Sequence, residues 1–175
     1  MRNGFLAKPC LFVSLVWQVG LFNCAEAGGA LEPVVFTVRF PTPAAHAASV
    51  EAAIPTGGQA SVELVLPVWT PGFYRVEDYS SRVQGLSARA PDGAPLEVTQ
   101  PKPNRWRIET GGAPKISVSY QLSCGQKSVT TSWVGDDLAV LNGPATFPAL
   151  LEKVARPYEV QLELAAGWER SMKFW

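Results

Sequence analysis

The chain has few side chains that could perform chemistry, and they lie far apart in sequence. His46 is the one histidine among 175 residues, so a zinc site with two histidine ligands from a single copy is impossible. The surrounding segment 43–48 consists mainly of small residues. A lone histidine in such a segment is typical of a solvated or capping residue rather than a metal ligand.

Two acidic pairs, Glu77-Asp78 and Asp136-Asp137, are the candidates for acid–base chemistry. Both fall in loop-like stretches, and the turn preference of aspartate explains them without catalysis. Cys124 follows a strand-like pattern in a Ser-Cys-Gly sequence that predicts a turn. Because no histidine is near it in sequence, we do not expect a catalytic thiol.

The most distinctive segment is the run 66–79, which reads Leu-Pro-Val-Trp-Thr-Pro-Gly-Phe-Tyr-Arg-Val-Glu-Asp-Tyr. Its Thr-Pro-Gly-Phe stretch fits a type II turn. Trp69 and Tyr74 each combine a large apolar surface with one polar group, which suits the wall of an interdomain contact or substrate cleft. Alternatively they fill the core of a sandwich corner, the usual role of aromatics beside turns. The interdomain or cleft candidates are Trp69, Thr70, Pro71, Gly72, Tyr74, Arg75, Asp78 and Tyr79.

Composition excludes one class of function and indicates a class of fold. The 15 basic and 15 acidic residues balance, and charged residues make up only 17% of the chain. No polybasic run is present, so nucleic-acid binding lacks its electrostatic basis. The 15 glycines and 15 prolines, in a chain that is 47% hydrophobic, indicate many tight turns between short strands.

Residues 1–27 have the pattern of a secretory signal peptide. Arg2 and Lys8 precede an apolar run over 10–22, and an Ala-Glu-Ala sequence at 25–27 offers a cleavage site. The run is shorter than the roughly 20 residues that a membrane span needs. We predict a periplasmic or secreted protein with no membrane contact after cleavage. Lipidation at Cys24 is the alternative, although the preceding Phe-Asn does not resemble a lipobox.

Period-two alternation begins at Val34, Phe36 and Val38 and recurs along the chain. Glycine- and proline-rich turns separate the runs, and we also predict one helical turn over 148–154. Short strands at this spacing predict an all-β fold, an antiparallel β-sandwich or saddle formed by a single domain over 31–175. The predicted strands are 34–40, 49–54, 61–68, 83–89, 96–100, 105–109, 115–122, 130–134, 139–141 and 158–164.

The run 66–79 resembles the signature Leu-Pro-Val-Trp-Thr-Pro-Gly-Ser-Tyr-x-Val-x-Asp-Tyr of the N-terminal domain of the family-61 metallopeptidases, the glycyl aminopeptidase family. Phe73 stands where the family often has serine. Weaker matches follow the family in order and spacing over about 34–168. They are His46 to Ala52, Asp92-Gly93 with Leu96, Lys102 with Arg105-Trp106, Val118 to Tyr120, Asn142-Gly143 and Gly167-Trp168.

The resemblance implies the noncatalytic N-terminal β-domain of a secreted zinc aminopeptidase-like protein, truncated before its catalytic domain. In the intact family, zinc held by His-Glu-x-x-His and a downstream glutamate hydrolyses an N-terminal residue, often Gly or Ala, from peptides. This chain lacks that motif, so we expect no catalytic residue and no cofactor of its own. The implied partners are the catalytic metallopeptidase domain and, in the full-length protein only, a peptide substrate. The alternative is a free-standing exported β-sandwich that binds protein or carbohydrate through its aromatic residues.

Overall fold

The computed structural model describes residues 31–70, 74–153 and 155–169. Predictions for the leader 1–27, for Pro71 and Gly72, and for the tail 170–175 lie outside these residues. The described strands are β1 (Val34–Arg39), β2 (Ala47–Pro55), β3 (Ser61–Val65), β4 (Val83–Arg89), β5 (Pro95–Leu96), β6 (Val98–Lys102), β7 (Arg105–Glu109), β8 (Lys115–Ser123), β9 (Trp133–Val134), β10 (Ala139–Val140), β11 (Ala149–Leu150) and β12 (Tyr158–Glu163). Two 3-10 turns (Pro43–Ala45 and Tyr79–Arg82) and one α-helical turn, α1 (Gly143–Thr146), complete the described elements.

The strands form three sheets. The largest has the order β12-β1-β2-β8-β4-β5, a second has the order β11-β3-β7-β6, and β9 and β10 form a separate hairpin. No helix among the described residues is long and apolar enough to span a bilayer.

One hydrophobic core joins the two larger sheets. Alternate residues of β1, including Phe36 and Val38, are buried, and the residues between them are only partly buried. Leu64 of β3 with Trp106 and Ile108 of β7 belong to the same buried cluster. Burying each large apolar side chain stabilises the fold by about 1.5–3 kcal/mol. The all-β sandwich predicted from the alternation is therefore confirmed.

The opposite face of the six-stranded sheet is polar. Arg39 donates to Glu163 at 2.7 Å and to Glu51 at 2.9 Å, and Ser117 donates to Glu51 at 3.1 Å. The hydrogen bond from Arg39 lowers the pKa of the Glu51 carboxyl, because it favours the charged form. These groups are half exposed and therefore screened by water, so the pairs add little to stability. Their main effect is to make this face of the sheet polar, so that it stays exposed to solvent.

One strand pair departs from the antiparallel prediction. β12 runs parallel to β1, with Tyr158 beside Val34 and Glu163 beside Arg39. The other described strand pairs are antiparallel. A parallel neighbour needs a long connection, and here the chain returns to β1 only after passing through both sheets. Alternation within a strand predicts which residues are buried but not the direction of its neighbour.

The helical turn predicted over 148–154 is wrong. The described helix lies earlier, over Gly143–Thr146, with a proline in its first turn, a position that proline tolerates well. Phe147 is extended, because the residue before a proline disfavours the helical region. Ala149–Leu150 then pairs with β3 as strand β11. The strand predicted over 61–68 likewise ends at Val65, and of 130–134 only Trp133–Val134 is a strand.

Candidate functional site

The segment 66–79, called here the signature loop, is fixed at its first residue by Asn104. Leu66 is fully buried. Its N–H donates to the Asn104 carbonyl at 3.0 Å, and the Asn104 side-chain amide donates to the Leu66 carbonyl at 2.8 Å. Asn104 lies in the turn between β6 and β7, so this turn holds both backbone polar groups of Leu66.

A backbone hydrogen bond closes the signature loop across its base. The N–H of Glu77 donates to the carbonyl of Val68 at 2.8 Å. The two sides of the loop therefore meet at this hydrogen bond.

The far end of the signature loop is fixed by a capped 3-10 turn. The Asp78 carboxylate accepts from the N–H of Ser81 at 3.3 Å and from the hydroxyl of Ser80 at 2.8 Å. The Ser81 hydroxyl in turn donates to the Asp78 carbonyl at 2.8 Å. Tyr79, the next residue, is only 1% exposed. Asp78 and Tyr79, both predicted site residues, thus hold the loop in place.

Between these anchors the signature loop presents apolar side chains to solvent. Trp69 is 46% exposed and Tyr74 is 87% exposed, and Val68 and Val76 are exposed as well. The interpretation that Trp69 and Tyr74 fill the core of a sandwich corner is therefore wrong. The physical reason is that Leu66 and Tyr79 already occupy the buried positions at the two ends of the loop. Of the remaining predicted site residues, Thr70 is partly buried and Arg75 is exposed.

A polar groove of about 510 Å³ lies beside the base of the signature loop. One side consists of Asp78, the two serines that follow Tyr79, and Val83; the other is the segment 100–103 from β6 and its turn. The Asp78 carboxylate is already engaged by the capped turn, so the other polar groups of the lining are the serine hydroxyls, the Gln100 amide, the Lys102 ammonium and the backbone. Such groups can accept and donate hydrogen bonds to a polypeptide backbone.

A family model described as the Peptidase M61 N-terminal domain matches residues 35–173. The chain belongs to this family. The crystal structure of an aminopeptidase N family protein from Idiomarina loihiensis is similar, with a TM-score of 0.68 and 25% sequence identity. The match covers 74% of this chain and 22% of that one, so the chain spans about a fifth of that protein's length. No curated protein matches.

These comparisons confirm the family predicted from the Trp-Thr-Pro-Gly run. The chain is a peptidase-associated N-terminal domain with an all-β fold.

The single histidine of this M61 N-terminal domain has a structural role. His46 ends the first 3-10 turn in a left-handed conformation, with φ of 51°, as the sequence interpretation of a capping residue anticipated. Its ring Nδ1 lies 2.7 Å from the Val134 carbonyl oxygen. Among the described residues no group of three or more His, Cys, Asp or Glu could hold a metal ion.

Cys124 is buried, and its backbone pairs with neighbouring segments where the sequence predicted a turn. Its N–H donates to the His46 carbonyl at 2.8 Å, and its carbonyl accepts from Val134 at 3.0 Å, so the backbone continues the pairing beyond β8. Burial raises the pKa of the Cys124 thiol to about 11. A thiol that stays protonated at neutral pH is a poor nucleophile. The exposed Asp136-Asp137 pair lies between β9 and β10, where Asp136 contributes its carbonyl to the indole N–H of Trp168 at 3.2 Å.

Asn104 is the anchoring residue that the sequence did not reveal. The Pro-Asn pair at 103–104 is a turn signal between two strands. Leu66, the hydrogen-bond partner of Asn104, is 38 positions away in sequence. Only the folded structure therefore shows that the turn holds the signature loop.

Proposed function

We propose that this M61 N-terminal domain is the noncatalytic β-domain of a zinc aminopeptidase-like protein and supports its catalytic domain through the signature loop. The observation that carries the proposal is the exposure of Trp69 and Tyr74 on a loop anchored at both ends. Membership of a peptidase N-terminal family and the similarity to an aminopeptidase N family protein support it.

The anchored loop suits a docking role for physical reasons. Side chains on a segment that is already fixed lose less conformational entropy when a partner binds than those on a mobile loop. Tryptophan and tyrosine also dominate the energy of protein interfaces. In this proposal the zinc and the hydrolytic step belong to the catalytic domain. A peptide substrate would meet this domain only where the signature loop borders the cleft.

Export is the second part of the proposal. Residues 1–27 contain a basic segment, then an apolar run, then small residues. This order supports a signal peptide with cleavage near Ala27 and a periplasmic or secreted destination. Intact-mass measurement of material from the periplasm or medium tests it. Retention of residues 1–27 would contradict export by cleavage, and a diacylglycerol mass on Cys24 would favour lipidation.

A second candidate function is a free-standing exported module that binds protein or carbohydrate. The exposed pair Trp69 and Tyr74 favours it too, since aromatic rings on a fixed loop can stack on sugars as well as on a protein surface. The gene sequence downstream of codon 175 separates the candidates. A continuing frame that encodes His-Glu-x-x-His supports the peptidase domain, and a stop codon supports the module.

A domain exchange tests the docking role directly. Residues 31–169 would replace the matching segment of the Idiomarina loihiensis protein, and hydrolysis of alanyl and glycyl anilides would be measured. We expect the chimera to be active and the double variant Trp69→Ala, Tyr74→Ala to lower kcat/KM by about tenfold or more. Val129→Ala, which changes an 89% exposed valine on a different loop, is the matched control. Full activity of the double variant would overturn the docking role.

A further inference from the structure

Within the ranges 31–70, 74–153 and 155–169, no strand pairs with the outer edge of β12. β12 is the end strand of the six-stranded sheet and extends over six residues. The other edge strands are blunted: β5 and β11 have two residues each, and β6 contains Pro101 and a register shift. An unpaired strand edge presents a row of N–H and C=O groups that a further strand can bind.

The backbone direction in β12 shows which groups are available. The Pro157 carbonyl accepts from the N–H of Val34 at 3.0 Å, so Pro157 faces β1. In a parallel pair successive residues face the neighbour and the open side alternately. The N–H and C=O groups of Tyr158, Val160 and Leu162 therefore point outward, where an added strand would bind them.

The core-facing side of β12 is not fully covered. Tyr158 and Val160 lie in register with Val34 and Phe36, which are each 1% exposed. Yet Tyr158 is 39% exposed and Val160 is 41% exposed. The Tyr158 hydroxyl, which accepts from the N–H of Leu150 at 3.0 Å, bridges to the second sheet, but the apolar surface beside it stays open. An apolar side chain from an added strand would bury this surface.

The opposite side of the same edge is acidic. Glu163 and Glu51 share the single guanidinium of Arg39, and Glu159 has no ion pair among the described residues. Three carboxylates thus face one guanidinium. Antiparallel pairing of two copies of β12 centred on Gln161 would place Glu159 opposite Glu163, and like charges directly opposite are destabilising. The charge pattern favours a basic partner over a second copy of this chain.

We propose that the outer edge of β12 binds, by β-augmentation, an extended segment of another polypeptide in which basic residues alternate with apolar ones. Its backbone pairs with the outward groups of Tyr158, Val160 and Leu162. Its basic side chains lie over Glu159 and its apolar side chains over Val160. Main-chain hydrogen bonds supply affinity in this mode, and the alternate side chains supply specificity. The inference does not depend on the proposed docking of the signature loop, which involves different residues.

Fluorescence polarisation with a labelled peptide of about eight residues that alternates lysine with valine or threonine tests the proposal. We expect saturable binding that weakens as salt is raised. Glu159→Lys should weaken the binding of this peptide by about tenfold. The same variant should bind a peptide in which glutamate replaces each lysine. Glu97→Lys, which makes the same charge change at an exposed position away from β12, should change the affinity less than about twofold.

A backbone variant distinguishes strand pairing from simple charge attraction. Val160→Pro removes one outward N–H from an edge strand, where proline is tolerated. The domain should therefore keep the temperature of its thermal unfolding and no longer bind the peptide. Should it unfold, Val160→Thr serves as the second comparison: it keeps the backbone donor and should keep binding, with at most about a threefold loss. Binding unaffected by Glu159→Lys, no saturation up to about 1 mM peptide, or self-association through β12 in sedimentation would each overturn the proposal.

Discussion

Leu66 and Trp69 lie three residues apart in the signature loop and have opposite environments. Leu66 is fully buried and Trp69 is 46% exposed. We expect Leu66→Ala to lower the free energy of unfolding by about 2–5 kcal/mol, because it leaves a cavity. Trp69→Ala should change it by no more than about 0.5 kcal/mol, as surface substitutions usually do. Urea denaturation of both variants measures the difference, and a loss of 3 kcal/mol for Trp69→Ala would mean that its ring packs in the core.

The Cys124 thiol should make stability depend on alkaline pH. Burial raises its pKa from the ordinary 9.0 to about 11, so the unfolded chain loses this proton before the folded chain does. Ionisation then favours the unfolded state, and the free energy of unfolding should fall as the pH rises from about 9 to about 11. Below pH 9 the thiol is protonated in both states and makes no pH-dependent difference.

Denaturation of the wild type and of Cys124→Ala across this pH range isolates the thiol. The variant is needed because of Tyr120. Burial also raises the pKa of the Tyr120 phenol, so this residue makes a separate contribution to the loss of stability at alkaline pH. The wild type should lose more stability than Cys124→Ala between pH 9 and pH 11. Parallel curves for the two proteins would show that the thiol ionises as freely in the folded state as in the unfolded one.

At the scale of elements, the turn between β6 and β7 holds the first residue of the signature loop in place. Asn104→Ala removes the donor to the Leu66 carbonyl and leaves that buried acceptor without its side-chain partner. An unsatisfied buried group costs about 1–3 kcal/mol. We expect faster amide hydrogen exchange in the segments 66–70 and 74–79, with little change in β2 and β8.

Gln100→Ala is the matched control for Asn104→Ala. Gln100 lies near the same turn and donates to the Pro103 carbonyl at 2.6 Å, but it is exposed and does not contact the signature loop through this bond. Its substitution should leave exchange in the loop unchanged. Equal effects of the two variants would indicate that the turn as a whole, rather than the Asn104 amide, fixes the loop.

The same elements show what the sequence could predict. Long alternating strands such as β1 and β8 were predictable because one buried face imposes a period of two. The two-residue strand β11 was not, because its pairing with β3 depends on where the chain returns rather than on its own residues. The sequence left both a buried and an exposed Trp69 open for a related reason: an aromatic beside a turn packs inside or outside according to which neighbours already fill the core.

At the scale of the whole molecule, the family and the fold were both predictable from the sequence. The ordered matches around the Trp-Thr-Pro-Gly run led to the M61 N-terminal family, which the family model over 35–173 confirms. The open side of β12 was not predictable, because it depends on how the two sheets close. The open side of β12 exists because the second sheet leaves Tyr158 and Val160 partly uncovered.

Zinc retention and peptide hydrolysis are properties of the purified chain as a whole. We expect the purified protein neither to retain zinc nor to hydrolyse glycyl or alanyl anilides. Its one histidine, His46, has its Nδ1 engaged at the Val134 carbonyl, and the described residues hold no group that could bind a metal. A zinc site that activates water needs about three protein ligands and an open position.

Metal analysis after dialysis, together with anilide assays with and without a chelator, measures this. A metallopeptidase that carries His-Glu-x-x-His, purified and assayed in the same way, shows that the procedure preserves zinc and detects turnover. His46→Ala in this chain should leave the trace metal content and the background rate unchanged, because the residue caps a turn. Stoichiometric zinc with chelator-sensitive turnover would contradict the prediction. It would mean that ligands from outside the described residues, or from a second copy, complete a site that one histidine cannot form alone.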